Sequence, residues 1–197
     1  MSSVRNIEEA LRDPMPGEPP WGIAMLYPEQ GGWTEQEYLA LDTNILVEFV
    51  DGCLEFPPMP TKAHQWTAGF LYRRLFGAVA DSGLGEVYHA PYRVQVPDRF
   101  REPDVVCILK RNAAKANEQF AEAADLVVEV VSEDDPDRDW VTKRSEYAAA
   151  GIPEYWIADP RDKTLTILTL DRGATVYREA GRYGEGETAP ACFSTAS

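Results

Sequence analysis

One short segment near the middle of the chain restricts its fold more than any other. Leu126-Val127-Val128-Glu129-Val130-Val131 is a continuous apolar run interrupted by a single acid. Such a run is typical of a central β-strand that other layers cover on both faces. Burying an ionised carboxylate there without a partner costs several kcal/mol, so we expect a metal ion, a cation or a proton against Glu129. The alternative is an edge strand on which Glu129 faces water.

A second acid occupies the start of another predicted strand. Asp104 precedes Val105-Val106-Cys107-Ile108, and Pro103 cannot donate a hydrogen bond to a sheet, so the strand is expected to begin at Asp104. Taken alone, an aspartate after a proline is an ordinary turn or strand-start residue. Two carboxylates at the ends of adjacent strands would instead form a hard-oxygen site suited to Mg²⁺ or Mn²⁺.

The helix predicted after the Glu129 strand carries a lysine at a useful spacing. Asp139, Lys143 and Tyr147 are four residues apart, so they share one helix face. One interpretation is a surface ion pair between Asp139 and Lys143. The other is that Lys143 points at the two carboxylates, where it could orient or deprotonate the attacking water and offset charge on a phosphate.

The rest of the chain predicts a single α/β domain over residues 31–180, preceded by an irregular proline-rich arm (1–30) and followed by a loosely ordered tail (181–197). A capping box at Thr34 and Glu37 begins the first helix, and Asp51-Gly52 forms the turn of a β-hairpin. The predicted helices are 35–41, 62–80, 113–124 and 135–150, and the predicted strands are 45–50, 53–56, 86–96, 104–109, 126–131, 154–158, 165–170 and 174–178.

Composition limits the class of protein and raises one difficulty. Three separated cysteines and two histidines argue against a zinc site or a disulfide framework, and no apolar stretch approaches membrane-spanning length, so a cytoplasmic location is expected. The net charge of −14 is unusual for a nucleic-acid binder. Either a basic partner subunit supplies phosphate contacts, or cationic residues gather at one cleft: Arg73, Arg74, Arg93, Arg99, Arg101, Lys143 and Arg144.

Several segments in order resemble the bacterial Uma-two family of restriction endonucleases. They are Gly32-Trp33-Thr34 through Tyr38-Leu39, Val47-Glu48 with Asp51-Gly52, His64, Glu102-Pro103-Asp104-Val105-Val106, Asp125 to Ser132, Asp139 with Lys143 and Tyr147, and Gly151 to Asp159. The resemblance covers about residues 32–170. It implies the PD-(D/E)xK nuclease fold, a restriction-endonuclease-like mixed central β-sheet flanked by helices, here with an N-terminal β-hairpin and a C-terminal strand meander.

The same resemblance implies roles for individual residues. Asp104 and Glu129 correspond to the motif acids, and the backbone carbonyl of Val130 would complete the shell of a Mg²⁺ or Mn²⁺ ion. Val131 stands where the simplest motif has its lysine, which makes Lys143 of the following helix the candidate. Glu48 matches an early family glutamate and is a further candidate site acid.

These inferences predict a metal-dependent endonuclease that hydrolyses DNA phosphodiester bonds. Two alternatives remain open at this point: a non-catalytic interaction module that keeps the nuclease fold, which the acidic charge favours, and a phosphodiesterase acting on small molecules. A homodimer is also expected, since cutting both strands of DNA commonly uses two sites. The sequence assigns no role to His64.

Overall fold

The computed structural model describes residues 28–41 and 46–190, and within these ranges two β-sheets pack with three α-helices. The helices are α1 (Glu35–Leu39), α2 (Lys62–Val79) and α3 (Arg144–Ala149). The strands are β1 (Glu48–Val50), β2 (Cys53–Glu55), β3 (Gly85–His89), β4 (Arg93–Val96), β5 (Arg99–Arg101), β6 (Val105–Leu109), β7 (Phe120–Ala121), β8 (Leu126–Val130), β9 (Glu154–Asp159), β10 (Thr164–Thr169) and β11 (Arg178–Tyr183).

The larger sheet has six strands in the order β11-β10-β9-β8-β6-β3. Only β8 and β9 run parallel, and the other neighbours are antiparallel. Every residue of β8 is buried, which confirms the prediction of a central strand and excludes the edge-strand alternative for Glu129. The C-terminal meander is also confirmed, since β9, β10 and β11 follow one another as antiparallel neighbours.

A second sheet, in the order β2-β1-β5-β4-β7, was not predicted from the sequence. The β1–β2 hairpin within this sheet was predicted from the sequence. Asp51 and Gly52 both have positive φ, 49° and 78°, as a tight two-residue turn requires. The prediction of one strand over 86–96 is wrong. Pro91 interrupts this segment, and β3 and β4 on its two sides belong to different sheets.

Apolar layers cover both faces of the larger sheet. On one face, α2 contributes Leu71, Leu75 and Val79, which pack with alternate residues of the sheet that include Val128 and Val130. On the other face, Tyr147 of α3 joins residues of both sheets in a second core; its members include Val94, Val106, Val127, Val131 and Tyr155. Because side chains alternate along a strand, Glu129 points to the second of these faces with Val127 and Val131.

Besides the strand over 86–96, two further element predictions were wrong, and one more needs amendment. Residues 113–124 do not form a helix. The chain passes through a 3-10 turn (Lys110–Lys115), and the Asn117 side chain then accepts hydrogen bonds from the backbone N–H groups of Gln119 and Phe120. This capped turn leads directly into β7. The strand predicted over 174–178 lies instead at Arg178–Tyr183. The predicted helix over 135–150 contains a π-helical turn (Arg138–Lys143) before α3.

The two ends of the chain were also the subject of predictions. Residues 1–27 of the predicted arm and 191–197 of the predicted tail lie outside the described residues. Within the described ranges, no helix has both the length and the apolar character needed to cross a lipid bilayer.

Candidate active site

The two predicted metal ligands lie on neighbouring strands of the larger sheet. In the antiparallel pair β6–β8, Val105 is opposite Val128, so one further step of the register places Asp104 opposite Glu129. Side chains two residues apart on a strand point to the same face. Asp104 therefore shares the face of Val106, and Glu129 shares the face of Val127. Val106 and Val127 belong to the same core, so both acids point to one face of the sheet. Both also line the same cleft, as does Val130. The structure therefore brings together the two carboxylates that the sequence singled out.

Glu129 is held by one of its two carboxylate oxygens. It is 3 % exposed, and its Oε1 accepts hydrogen bonds from the Tyr147 hydroxyl at 2.5 Å and from the Lys143 ammonium at 2.9 Å. Among the described residues, none donates to its second oxygen, Oε2. The protein thus fixes the orientation of this carboxylate and leaves one oxygen available to a ligand.

Asp104 repeats this arrangement with different partners. Its Oδ2 accepts a hydrogen bond from the backbone N–H of Val130 at 2.8 Å, and Nε2 of His64 lies 3.3 Å from the same oxygen. No donor in the described part of the chain reaches Oδ1. His64 lies in the first turn of α2 and lines the cleft, so the structure places in the site a histidine to which the sequence gave no role.

Lys143 is only 5 % exposed and contacts Glu129, one of the two carboxylates that it was predicted to face, but among the described residues it has no contact with Asp104. Its Nζ is 2.9 Å from Glu129 Oε1, 3.3 Å from Glu48 Oε1 and 3.8 Å from Asp139 Oδ1. Asp139 is also buried, which excludes the interpretation of a surface ion pair. Lys143 closes the π-helical turn, a widened helical geometry that is frequent at functional sites.

Glu48 lines the same cleft but has no oxygen left unpaired. Its Oε2 accepts from Arg101 at 2.8 Å and from Arg138 at 2.5 Å, and its Oε1 accepts from the backbone N–H of Glu102 at 3.1 Å as well as lying near Lys143. The structure thus places this third acid next to Lys143, inside a network of ion pairs.

The pKa values of Glu129 and Glu48 are shifted in opposite directions. Burial raises the pKa of Glu129 to about 8; Lys143 opposes this shift, whereas Asp139, Asp104 and Glu48 add to it. Burial would also raise the pKa of Glu48, but Lys143, Arg101 and Arg138 outweigh it and lower the pKa to about 2. Burial therefore favours the neutral form of Glu129, and the one lysine beside it does not offset this effect.

The groups around Glu129 follow the same logic. Burial raises the pKa of Asp139 to about 6, although Lys143 acts against it. Burial would lower the pKa of Lys143, but Glu129, Glu48 and Asp139 raise it above its ordinary value. Burial likewise opposes protonation of His64, but the hydrogen bond that its ring donates to Asp104, together with the charge of that carboxylate, gives a net rise in its pKa. An additional cation against Glu129 would oppose the effect of burial and favour its ionised form.

The donor set fits a hard divalent cation such as Mg²⁺ or Mn²⁺. Asp104 Oδ1 and Glu129 Oε2 are carboxylate oxygens, the preferred ligands of these ions, and Val130 adds a backbone carbonyl beside them. Over the described ranges, no group of three His, Cys, Asp or Glu side chains is arranged to hold a metal. A cation here would therefore combine the two carboxylates with the carbonyl and with water.

The cleft has a volume of about 540 Å³ and extends from the acids to α2 and to the loop before it. The loop contributes Pro57, Pro58, Met59 and Pro60, and α2 contributes residues from Ala63 to Tyr72. Beyond the acids, the wall contains Ser132, Glu133, Asp134 and Arg161. One end of the cleft is therefore strongly acidic, whereas the α2 side carries no carboxylate.

The prediction that seven cationic residues gather at the cleft is wrong for most of them. Arg101 is 1 % exposed and donates to Glu48, Glu55 and Glu146, so no phosphate can reach it. Arg93 lies over the Tyr38 ring, Arg99 pairs with Asp51 and Glu146, and Arg144 donates to the Tyr177 carbonyl. Of the seven, only Lys143 lines the cleft, while Arg73 and Arg74 are exposed on α2.

Sequence reasoning missed several residues that support the site. It did not single out Arg138, which is bound to Glu48 and Glu55. It placed Tyr147 on the face of Lys143 without identifying it as the hydrogen-bond donor to Glu129. The Tyr147 spacing was a usable signal, because a tyrosine one turn beyond Lys143 on that face reaches the same carboxylate. The Arg138 contact spans 90 residues and had no local signal.

Comparison with known proteins identifies the family and the fold. The Uma2 family model, described as "Putative restriction endonuclease", matches residues 35–195. No curated protein matches the chain. Among solved structures, the chain is similar to a crystal structure described as that of a putative nuclease belonging to DUF820 from Anabaena variabilis. The identity is 18 %, the TM-score is 0.59, and the match covers 72 % of this chain and 80 % of that one. The fold is thus restriction-endonuclease-like, and the chain belongs to the Uma2 family.

Proposed function

We propose that this protein is a metal-dependent nuclease that hydrolyses phosphodiester bonds in DNA. One observation carries the proposal: two carboxylates on adjacent strands each have one oxygen fixed by the protein and one without a protein partner, and both line a cleft. Membership of the Uma2 family and the nuclease-like fold support the same reaction class.

In this proposal Asp104, Glu129 and the Val130 carbonyl would hold Mg²⁺ or Mn²⁺. When bound, such an ion polarises a phosphate and lowers the pKa of bound water. The hydrogen bonds from Val130 N–H and from Tyr147 keep the two carboxylates in place before any substrate arrives. This preorganisation matters because a ligand that must first be ordered contributes less to catalysis.

Lys143 supplies the one buried ammonium at the ligand end of the cleft, within the described part of the chain. Glu129 and Glu48 lie 2.9 and 3.3 Å from its Nζ, whereas Asp139 at 3.8 Å is beyond hydrogen-bond distance, so one of the three N–H donors is left for another acceptor. We assign it to orient the attacking water or to donate to a phosphate oxygen as charge develops there. Asp139 and Glu48 are positioning residues for this ammonium.

Cleavage of supercoiled plasmid DNA in Mg²⁺ tests the proposal. We expect the wild type to nick or linearise the plasmid, and expect Glu129→Gln and Lys143→Met to lose most of this activity. Asp125→Asn is the matched control, because Asp125 is a buried carboxylate that binds Arg111 outside the cleft. A wild type that leaves DNA intact would contradict the proposal, as would variants that cut at the wild-type rate. Turnover of a small phosphodiester without DNA cleavage would favour the phosphodiesterase alternative.

A further inference from the structure

Two aromatic side chains stand exposed on α2 next to the cleft. Trp66 is 66 % exposed and Phe70 is 42 % exposed. Their rings are stacked, with centroids 5.6 Å apart and planes 3° from parallel. Burial of such rings is normally favourable, so a prominent exposed pair on a helix indicates a surface that another molecule covers.

Neither ring lines the cleft, but each follows a residue that does. Gln65 and Gly69 line the cleft, and Trp66 and Phe70 follow them by one residue, which is about 100° further around the helix. Arg73 lies close to Gly69, because a β-carbon on that glycine would be 3.5 Å from the Nη1 atom of Arg73. Arg73 thus connects the exposed face that carries the aromatic pair with the side of α2 that lines the cleft.

The charge of this helix differs from that of the whole chain. The chain has a net charge of −14, yet residues 62–79 contain no Asp or Glu and carry Lys62, Arg73 and Arg74. Arg73 and Arg74 are exposed and have no carboxylate partner among the described residues. The exposed face of α2 is thus a cationic surface with flat aromatic groups, which we call the α2 platform (Trp66, Phe70, Arg73 and Arg74).

We infer that the α2 platform binds unpaired bases of the strand whose phosphodiester lies in the cleft, so that the substrate class is DNA with a single-stranded segment next to the cut. Aromatic side chains stack on any base, whereas paired bases in a duplex present no free face. Two exposed arginines can hold one or two phosphates, far fewer than duplex binders usually contact. Stacking would let an acidic protein bind DNA without an extensive basic surface. The inference rests on the proposed function for what occupies the cleft.

Fluorescence anisotropy with a labelled oligo-dT strand in EDTA tests the platform separately from cleavage. We expect the wild type to bind the single strand more tightly than a blunt duplex of the same length. Trp66→Ala and Phe70→Ala should each weaken binding about tenfold, whereas Trp66→Phe should keep most of the affinity because it keeps a ring. Phe76→Ala is the control: Phe76 is an exposed aromatic residue of the same helix, about 15 Å along the axis from Trp66 and about 9 Å from Phe70.

Salt dependence gives a second readout of the same contacts. If stacking dominates, log affinity should fall only shallowly with log salt, with a slope of roughly −1 to −2, and Arg73→Gln should reduce the slope by about 0.7. Phe70→Ala should lower affinity at every salt concentration without changing the slope. A steep slope that none of these variants alters would overturn the inference.

Further outcomes separate the inference from the proposed function. Unchanged oligo-dT binding by Trp66→Ala overturns the platform even if Mg²⁺-dependent cleavage is found. The expected loss of binding in a protein that cleaves nothing supports the platform and contradicts the proposed reaction. If Trp66→Ala instead converts a dimer to a monomer in sedimentation, with oligo-dT binding intact, a second copy of the chain covers this surface and the inference is wrong.

Discussion

Glu48 and Glu129 are two buried glutamates that contact the same lysine, yet their surroundings give them opposite properties. Glu48 belongs to the second sheet and accepts from Arg101, Arg138 and a backbone N–H in addition to its contact with Lys143. Glu129 belongs to the larger sheet and has Lys143 and Tyr147 as its partners among the described residues. The pKa is about 2 for Glu48 and about 8 for Glu129.

The difference shows that burial alone does not decide what a carboxylate does. Both residues lose nearly all contact with water, and in both the loss of solvation favours the neutral acid. Three cations reverse that effect at Glu48, so its charge stabilises the packing of β1 against β5 and the π-helical turn. A single lysine does not reverse it at Glu129, so that site has capacity for one more cation.

The largest expected effect comes from removing the charge of Glu129. Glu129→Gln keeps the size of the side chain but removes the oxygen that we assign to the metal. Mg²⁺-dependent cleavage should fall roughly 1000-fold, equivalent to about 4 kcal/mol of transition-state stabilisation. Thermal unfolding should change little, because the glutamine carbonyl still accepts from Tyr147 and Lys143. A large loss of stability with activity retained would reverse the comparison between the two glutamates.

Glu48→Gln should act mainly on stability. It removes one of three carboxylate partners from Arg101 and one partner each from Arg138 and Lys143 in a buried network, which costs about 3 kcal/mol. The melting temperature should then fall by roughly 6–12 °C. The control is Asp162→Asn, which removes an exposed ion pair with Arg182 and should cost less than about 1 kcal/mol. Equal melting temperatures for Glu48→Gln and Asp162→Asn would show that Glu48 contributes no more to stability than an exposed ion pair does.

A divalent cation should stabilise the wild type through Glu129 and not through Glu48. Mn²⁺ at about 100 times its dissociation constant should add about 2.7 kcal/mol to the free energy of unfolding. The melting temperature should then rise by roughly 5–11 °C. Glu129→Gln should show no rise, whereas Glu48→Gln should show the full rise from its lower starting point. Thermal unfolding with and without Mn²⁺ measures both, and a rise in Glu129→Gln would place the ion elsewhere.

His64→Gln should give the smallest effect. His64 contacts the anchored oxygen of Asp104 and not the free one, so its loss loosens a ligand without removing it. Residues that orient metal ligands commonly contribute about tenfold or more to metal affinity. The Mg²⁺ concentration for half-maximal cleavage should therefore rise about tenfold, with the rate at saturating Mg²⁺ nearly unchanged. A collapse of the saturated rate would instead give His64 a direct part in the reaction.

The core of the site could be predicted from the sequence because its signals are local. An acid inside an apolar strand, an aspartate after a proline and a lysine four residues from an aspartate are each visible within a few positions, and the register of β6 and β8 then brings the two strand acids together. The Asp-Gly turn and the capping box of α1 were predictable for the same reason.

The remaining features depend on long-range contacts. The second sheet pairs β1 with β5 across about fifty residues, and Arg101 meets Glu146 45 residues away. An arginine in a short polar strand predicts an exposed cation by composition, and only the assembled fold shows that three glutamates surround it. The prediction of a helix over 113–124 was wrong for a different reason. The turn capped by Asn117 and the pairing of β7 with β4 override the helical composition of this segment.

Calorimetric titration with Mn²⁺ tests the central claim most directly, because it needs neither substrate nor turnover. The wild type should bind Mn²⁺ measurably, Asp104→Asn and Glu129→Gln should lose nearly all of that binding, and Asp125→Asn should bind as the wild type does. If the wild type takes up no Mn²⁺, or if the two site variants bind it unchanged, the free carboxylate oxygens of Asp104 and Glu129 are not a metal site.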